Sequence, residues 1–313
     1  MENKNIVFFG TPKFAACILQ GLIENHYHII AVVTQPDKPV GRKKLVLKTP
    51  VKEIAEQYHL PVYQPILLRK DFEFLKQMDI DMIITAAYGQ ILPNEVLSLA
   101  KVNCINVHGS LLPKYRGGAP IQRAIMNGEK TTGITIMKMV DKMDAGEMYA
   151  KEEIAILENE NSSELFDRLM IVGKNLLLKV LPSLFDQSLK GELQNEADVT
   201  FAYNIKREEE KIDFNQNVEI IFNQIRGLAN TPGAYCFYGQ KQLKIFKAQI
   251  YNHHLDDNEI GTLIIVEKNK LLVRCANGYL LIQELQMEGK AKMNAMDFLN
   301  GVQKAEFLKN KLL

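Results

Sequence analysis

Short apolar runs alternate with stretches of helical spacing along the first half of the chain. The runs NIVFFG, HIIAVVTQ, DMIITAAYG, CINVHGS and GITIMKMV are typical of buried strands. Two of the intervening helices are predicted to begin at Thr11-Pro12 and Thr49-Pro50, because threonine caps helices and proline fits their first turn. This alternation predicts an α/β fold with a Rossmann-like, mostly parallel sheet and helices on both faces.

The second half of the chain changes in character. Asn161 and Glu164 form a capping-box pattern ahead of a long helical stretch. A polar segment follows, and then short strand patterns broken by turn residues, with a closing helix. We predict a catalytic domain over residues 1–190, a linker over 191–206 and a smaller C-terminal domain over 207–313, built as an OB-like β-barrel.

The run CINVHGS carries the first candidate chemistry. In open parallel sheets, sites lie at the carboxyl ends of strands. Asn106 and His108 stand two residues apart there, so their side chains point to the same side. A carboxamide donates hydrogen bonds without charge, and an imidazole can donate, accept or carry a proton. The pair suits a reaction that forms an oxyanion and moves a proton, as acyl transfer does. A polar network that merely caps the sheet would use the same residues.

A carboxylate that orients the histidine is expected after the next strand run, GITIMKMV. Asp144 is the candidate, with Asp141 as a competitor nearer in sequence. Asp144 is followed by Ala145-Gly146, small residues expected to let the backbone approach a ligand closely. No nucleophile is evident, because the HGS sequence at Ser110 is not a G-x-S-x-G elbow. The pattern therefore favours direct transfer of an acyl group between two bound substrates.

Two further segments bear on the ligand. The run FFGTP has one glycine where a dinucleotide fingerprint needs three, so NAD and FAD are not expected. The long segment from Thr34 to Lys52 carries a basic cluster that includes Arg42, Lys43 and Lys44. Such a loop suits a phosphate-bearing substrate, including RNA, although a solvated surface loop would have the same composition.

Composition and charge add little to this picture. The formal net charge is +1, so no global field indicates a nucleic acid or membrane partner. The four cysteines are far apart and form no C-x-x-C pair, which argues against a zinc or redox motif. No apolar run is typical of a signal peptide or a membrane span. We therefore expect a cytoplasmic protein without a metal site or a membrane partner.

Taken together, the motifs resemble a known family. NVHGSLLPKYRGGAPIQ is similar to the signature of the folate-dependent formyltransferases, and FFGTP, TQPDKPVGR, AAYGQILP and DAGEMY follow that family's order. The basic loop and the KMNAMDFLNG ending resemble the branch of the family that acts on methionyl-tRNA. The chain departs from that branch in having no tryptophan and in placing Lys13 where an acidic residue is usual.

The resemblance implies transfer of a formyl group from 10-formyltetrahydrofolate to the α-amino group of methionine on initiator tRNA, by a monomer without a metal. The residues that it implies are Asn106, His108 and Asp144 for catalysis; Ser110, Leu111, Leu112, Pro113, Ala87, Tyr88 and Gly89 for folate; and Arg42, Lys43 and Lys44 for tRNA. The alternatives are formylation of a glycinamide ribonucleotide or an amino sugar nucleotide, hydrolysis of formyltetrahydrofolate, and a non-catalytic RNA-binding module.

Overall fold

The computed structural model describes residues 4–40, 45–253, 255, 258–267, 269–301, 307–308 and 310–313. The chain folds into two compact units. The first comprises Met1–Pro120, Thr131–Ile154 and Phe166–Tyr203, and the second comprises Ile121–Lys130, Ala155–Leu165 and Asn204–Leu313. In the described residues, no helix has the length and apolar character needed to span a membrane.

Up to residue 185, most of the elements follow the order that the apolar pattern predicts. The strands are β1 (Asn5–Gly10), β2 (His28–Val33), β3 (Lys38–Val40), β4 (Leu45–Leu47), β5 (Val62–Tyr63), β6 (Met82–Ala86), β7 (Asn103–His108), β8 (Thr131–Lys138) and β9 (Met148–Ala155). The helices are α1 (Lys13–Glu24), α2 (Pro50–Gln57), α3 (Asn94–Leu97), α4 (Pro120–Met126) and α5 (Ser162–Phe185).

The main sheet of the first unit has the order β5-β2-β1-β6-β7-β8-β9. The strands from β5 to β7 pair in parallel, and β8 runs antiparallel to β7. Residues 6–9 of β1 are all fully buried. Because consecutive residues of a strand face opposite sides, both faces of the sheet are covered. The predicted mostly parallel α/β fold is confirmed.

The predicted helix starts differ in outcome. Thr49 accepts a hydrogen bond from the Lys52 amide at 3.2 Å and Pro50 opens α2, as predicted. Asn161 and Glu164 form the predicted reciprocal capping box, at 2.9 and 3.1 Å. The cap predicted at Thr11 is wrong, because α1 begins at Lys13 after an extended Pro12. The Thr11 hydroxyl instead donates to the Tyr88 carbonyl at 2.8 Å, which joins the ends of β1 and β6.

The long segment between β2 and α2 contains a short hairpin. Strands β3 and β4 pair antiparallel, with Pro39 opposite Val46. The basic residues Arg42, Lys43 and Lys44, predicted to contact tRNA, lie outside the described residues. The sequence analysis also missed strand β9 at the edge of the main sheet.

The second unit contains an antiparallel sheet, and from residue 204 onward its described elements include two α-helices. Its elements are α6 (Val218–Gly227), β10 (Ala234–Tyr238), β11 (Lys241–Tyr251), β12 (Leu263–Val266), β13 (Lys270–Cys275), β14 (Gly278–Met287), β15 (Met293–Asn294) and α7 (Ala295–Asn300). The strand order is β10-β11-β14-β13-β12, with β15 on β14. This confirms the predicted C-terminal β domain.

The final residues of the chain join the two edges of this second sheet. Leu313 exchanges backbone hydrogen bonds with Phe237 on β10, at 2.7 and 2.9 Å. The Leu312 amide donates to the Gly261 carbonyl, beside β12, at 2.9 Å. The edge strands are therefore bridged by one short segment, which gives the sheet the closure expected of a small barrel.

Candidate active site

Asn106 and His108 lie at the carboxyl end of β7, in the middle of the main sheet. Asn106 is opposite Thr85 on β6 and Met137 on β8, and His108 is opposite Thr135 on β8. Two residues apart on an extended strand, their side chains project to the same side. The strand end thus brings together the carboxamide and the imidazole that the sequence singled out.

His108 is 95% buried and is held at one ring nitrogen. Its Nε2 lies 2.9 Å from the carbonyl oxygen of Tyr115. A carbonyl can only accept, so Nε2 carries a proton and donates it. The other ring nitrogen, Nδ1, lies 3.7 Å from Oδ2 of Asp144. Nδ1 is therefore the nitrogen left to exchange a proton or bind a substrate, and a carboxylate oxygen lies beside it.

Asp144 reaches the histidine from the loop after β8. Its Oδ2 accepts a hydrogen bond from the Gly117 amide at 2.9 Å, and its backbone is left-handed, with φ +49°. The competing Asp141 is exposed and accepts from the Lys142 amide at 2.8 Å. Asp144, rather than Asp141, is thus the carboxylate that meets His108.

Gly146, two residues after Asp144, lies close to the end of β8. A Cβ at Gly146 would overlap the Lys138 carbonyl at the end of β8. The glycine therefore allows the loop to approach its own sheet closely. Whether this backbone also approaches a ligand closely, as the sequence predicts, stays a prediction.

Asn106 is oriented by a neighbour on β6. The hydroxyl of Thr85, 97% buried, donates to Oδ1 of Asn106 at 2.8 Å. With Oδ1 engaged as an acceptor, the amide nitrogen of Asn106 is directed the other way as a donor. Sequence reasoning missed Thr85, because a threonine inside a buried strand carries no chemical signal of its own.

A side-chain network supports the Asp144 loop. Gln194 donates to the carbonyl oxygens of Asp144 and Gly146, both at 2.8 Å, and accepts from Nε of Arg116 at 3.0 Å. Arg116 is completely buried and pairs with Glu196 at 2.9 Å. Hydrogen bonds from Arg116 and Lys142 lower the pKa of the Glu196 carboxyl. Gln194 and Glu196 lie in the predicted linker, and nothing in its polar composition pointed to the site.

The segment predicted to contact folate forms a tight loop after β7. The Ser110 hydroxyl donates to the Lys114 carbonyl at 2.7 Å. The Thr135 hydroxyl donates to the Ser110 carbonyl at 2.7 Å and accepts from the Leu112 amide at 3.1 Å. The side chains of Ser110 and Leu112 are buried, whereas Leu111 and Pro113 are partly exposed. Ser110 and Leu112 therefore shape the loop, and Leu111 and Pro113 are the residues of segment 110–113 that keep exposed surface.

The second predicted folate segment, Ala87–Gly89, follows β6 at the same edge of the sheet. Ala87 and Gly89 are exposed and left-handed, with φ +45° and +90°. The Tyr88 ring is buried against Phe9, at 5.2 Å between ring centroids, and burial raises the pKa of its phenol. The exposed part of this segment is backbone and small side chains, which a planar heterocycle can approach closely.

Neither thiols nor a metal cluster contribute to this site in the part of the chain that the structure describes. The four cysteines are free, and burial raises the pKa of the Cys104 and Cys236 thiols. Among the described residues, no group of three or more His, Cys, Asp or Glu side chains could hold a metal ion.

Most of the chain matches one protein family. Residues 4–181 match the family described as formyl transferase, and residues 204–303 match the formyl transferase C-terminal domain. The chain therefore belongs to the formyl transferase family, which confirms the resemblance seen in its motifs.

Within the family, the chain is similar to methionyl-tRNA formyltransferases. It is 47% identical to the enzyme of Latilactobacillus sakei subsp. sakei (strain 23K), over 96% of this chain and 95% of that one. It is 48% identical to the enzyme of Lactobacillus johnsonii, over 95% of both chains. It is 46% identical to the enzyme of Staphylococcus aureus (strain MW2), over 95% of this chain and 96% of that one.

Solved structures share the fold at low identity. An N-formyltransferase from Helicobacter canadensis, in complex with folinic acid and dTDP-3-aminofucose, has a TM-score of 0.65 at 19% identity and covers 94% of this chain and 100% of its own. HypX from Aquifex aeolicus, in complex with tetrahydrofolic acid, has a TM-score of 0.65 at 17% identity and covers 98% of this chain and 48% of its own. These likenesses support the fold.

Proposed function

We propose that this protein transfers the formyl group of 10-formyltetrahydrofolate to the α-amino group of methionine carried by initiator tRNA, for translation initiation. Identity of 46–48% to methionyl-tRNA formyltransferases, over about 95% of both chains, supports the substrate. The observation that carries the chemistry is the meeting of His108 Nδ1 and Asp144 Oδ2 at the end of β7, two residues from the oriented Asn106.

The proposed reaction is a direct transfer. The neutral amine attacks the formyl carbon, and the carbonyl oxygen becomes an oxyanion. The amide of Asn106 and a proton on Nδ1 of His108 donate hydrogen bonds to it, since Nε2 is engaged by Tyr115. Asp144 orients His108 and takes the amine proton through a water molecule. The oxyanion then re-forms the carbonyl as the bond from the formyl carbon to the folate nitrogen breaks. Tetrahydrofolate leaves with that nitrogen protonated by the proton that Asp144 took from the amine.

The folate site that we propose uses the two loops at this edge of the sheet. The segment 110–113 supplies the partly exposed Leu111 and Pro113, and the buried Ser110 and Leu112 fix its shape. The exposed backbone around Ala87 and Gly89 admits the flat pterin ring, while Tyr88 anchors that segment through its buried side chain. Both loops follow strands adjacent to the proposed catalytic residues.

The proposed tRNA contacts come from two parts of the sequence. Arg42 reads the acceptor end, and Lys43 and Lys44 attract phosphates in a salt-dependent manner. We also propose that residues 1–190 act as the catalytic domain, that 191–206 form a linker and that 207–313 bind tRNA. We expect a monomer that works in the cytoplasm, and sedimentation of the purified protein checks the first of these expectations.

The function is tested by formyl transfer from 10-formyltetrahydrofolate to competing acceptors. These are methionine-charged initiator tRNA, charged elongator tRNA, glycinamide ribonucleotide, an amino sugar nucleotide and water. We expect fast transfer to charged initiator tRNA alone. Transfer to a small amine, or bare hydrolysis, would retain the chemistry of the site but reject the tRNA substrate.

The role of Asn106 gives the sharpest mutational test. Asn106→Ala should lower kcat by about 10²–10³, the usual cost of losing one oxyanion donor. Asn103→Ala is the matched control, because Asn103 lies at the other end of β7 and donates to the Tyr149 hydroxyl at 2.7 Å. Steady-state kinetics check both variants. A kcat for Asn106→Ala near that of the unmodified protein would contradict the mechanism.

A further inference from the structure

Two aromatic side chains are stacked on the surface of the first unit without a role in the proposed chemistry. The rings of Phe201 and Tyr203 lie 5.4 Å apart between centroids and within 5° of parallel. Phe201 is 47% exposed and Tyr203 is 59% exposed. Aromatic rings are usually buried for their large apolar area, so an ordered pair that faces solvent indicates a binding surface.

The segment that carries these rings is hydrogen-bonded to the loop that holds His108 and Asp144, two of the three proposed catalytic side chains. The Arg116 amide donates to the Thr200 carbonyl at 2.9 Å, and the Ala202 amide donates to the Arg116 carbonyl at 2.7 Å. The residues on either side of Arg116 hold the site, since the Tyr115 carbonyl binds His108 and the Gly117 amide binds Asp144.

The local backbone fixes where the two rings point. Residues 201 and 203 alternate with Ala202, which is fully buried, so both aromatic side chains face outward from the same side of the segment. The Phe201–Tyr203 segment lies one strand spacing, about 4.8 Å, from the Tyr115–Gly117 backbone. An offset of one or two residues along the segment adds about 3.3 Å for each residue. The rings therefore stand on the order of 10 Å from the backbone that holds His108 and Asp144.

The small size of the exposed aromatic surface limits which ligands could bind it. This surface consists of the Phe201 and Tyr203 rings, and the flanking Thr200 and Asn204 are exposed and polar. A stable protein interface buries about 800 Å² per partner, far more than two rings offer. One or two nucleobases, in contrast, match it, because every base has a π-face and stacks on an aromatic side chain regardless of sequence.

We infer that Phe201 and Tyr203 form a stacking surface for the unpaired 3′-terminal nucleotides of the charged tRNA. This inference rests on the proposed function, because the amine to be formylated is attached to the last of those nucleotides. Stacking there would place the aminoacyl group beside His108 and Asp144 and would act equally on any tRNA. The choice of initiator tRNA therefore has to come from other contacts.

The test measures tRNA binding with and without the 3′-terminal adenosine. The unmodified protein should bind the intact uncharged tRNA about tenfold more tightly than the shortened one. The variant Phe201→Leu/Tyr203→Leu should bind both alike, with unchanged folate binding and melting temperature. A 2-aminopurine in place of the terminal adenine should be quenched by stacking on the unmodified protein and not on the variant.

Two further variants serve as controls. Phe201→Trp keeps an aromatic ring at position 201, so it should still bind the intact tRNA more tightly than the shortened one. Tyr58→Leu removes another exposed ring of the first unit, 37% exposed, and should change nothing. The inference would be overturned if the terminal adenosine increased tRNA affinity by the same factor in the unmodified protein and in Phe201→Leu/Tyr203→Leu.

The outcomes also separate this inference from the function on which it depends. If the unmodified protein formylates charged initiator tRNA and the double variant has the same KM for it, only the stacking surface is rejected. If the unmodified protein formylates no charged tRNA, the proposed function fails, and the inference fails with it.

Discussion

At the scale of single residues, each of the three proposed catalytic side chains is held at one atom by a neighbour. His108 donates through Nε2 to the Tyr115 carbonyl, which leaves Nδ1 beside Asp144. Asn106 accepts from Thr85, which leaves its amide hydrogens to donate. Asp144 is fixed by the Gly117 amide. A neighbour thus orients each group before a substrate arrives, which is how a site stabilises developing charge without reorganising.

Thr85 is the residue whose removal tests this orientation most cleanly. Thr85→Val keeps the shape of the side chain but removes the hydroxyl, so Asn106 loses the partner that directs its amide. We expect kcat to fall about tenfold while the KM for both substrates changes little, because the donor acts in the transition state. Thr85→Ser retains the hydroxyl and should restore kcat. If kcat fell in Thr85→Ser as much as in Thr85→Val, the proposed role of Thr85 in orienting Asn106 would be contradicted.

At the scale of elements, the site depends on the ends of two strands and on one segment far along the chain. Loops after β7 and β8 bring His108 and Asp144 together, and residues 194–202 hold both loops. Gly117 makes this possible, because its φ is +131° and a Cβ there would lie 2.5 Å from the Ala202 carbonyl. The position therefore admits only glycine without a shift of the backbone.

An ion pair in the second unit links helix α4 to the turn at Arg207–Glu210. Arg123 binds both carboxylate oxygens of Glu209, one of them at 2.9 Å, and lowers the pKa of Glu209 to about 2. Because this carboxyl has a lower pKa in the folded state, its contribution to stability is full above about pH 5. It is lost as the pH falls through about 2.

Glu209→Gln should therefore be less stable than the unmodified protein at pH 7, by about 1 kcal/mol for a partly exposed pair. The difference should shrink steadily between pH 5 and pH 2. Urea unfolding at a series of pH values measures it. Glu208→Gln, at an exposed neighbouring position, is the control and should show no such trend. If the unfolding free energy of Glu209→Gln stayed below that of the unmodified protein by the same amount at every pH, the ion pair would not be the cause of the difference.

At the scale of the whole molecule, each of the two units has its own hydrophobic core. The second unit is closed by residues at the end of the chain, since Leu312 and Leu313 bridge the strands at both edges of its sheet. Leu312 is 98% buried in that core, whereas Leu313 is 66% exposed. Adjacent leucines thus differ in burial while sharing the same backbone bridge.

This pair separates the contribution of the side chain from that of the backbone. Leu312→Ala should destabilise the second unit by about 2–5 kcal/mol, because it removes buried methyl groups and leaves a cavity. Leu313→Ala should remain within about 0.5 kcal/mol of the unmodified protein. Thermal unfolding followed by calorimetry checks both. Equal effects at the two positions would argue that the segment stabilises through its backbone alone.

Much of the fold was predictable because it depends on residues close together in sequence. Apolar runs predicted β1, β2, β6, β7 and β8, and the local pairs at Thr49-Pro50 and Asn161/Glu164 marked two helix starts. Strand β9 was missed because its residues are mostly partly buried or exposed and include Lys151, Glu152 and Glu153. The Thr11 cap failed because a tertiary partner, Tyr88, takes its hydroxyl.

The sequence by itself determined the α/β order, the carboxamide and imidazole at one strand end and the family, because each of these follows from short local patterns. Only the tertiary structure decided that Nδ1 of His108 faces Asp144, that Thr85 orients Asn106 and that Gln194 supports the loop. These contacts join residues between 21 and 50 positions apart. Such pairings depend on strand order and loop path, which no local pattern specifies.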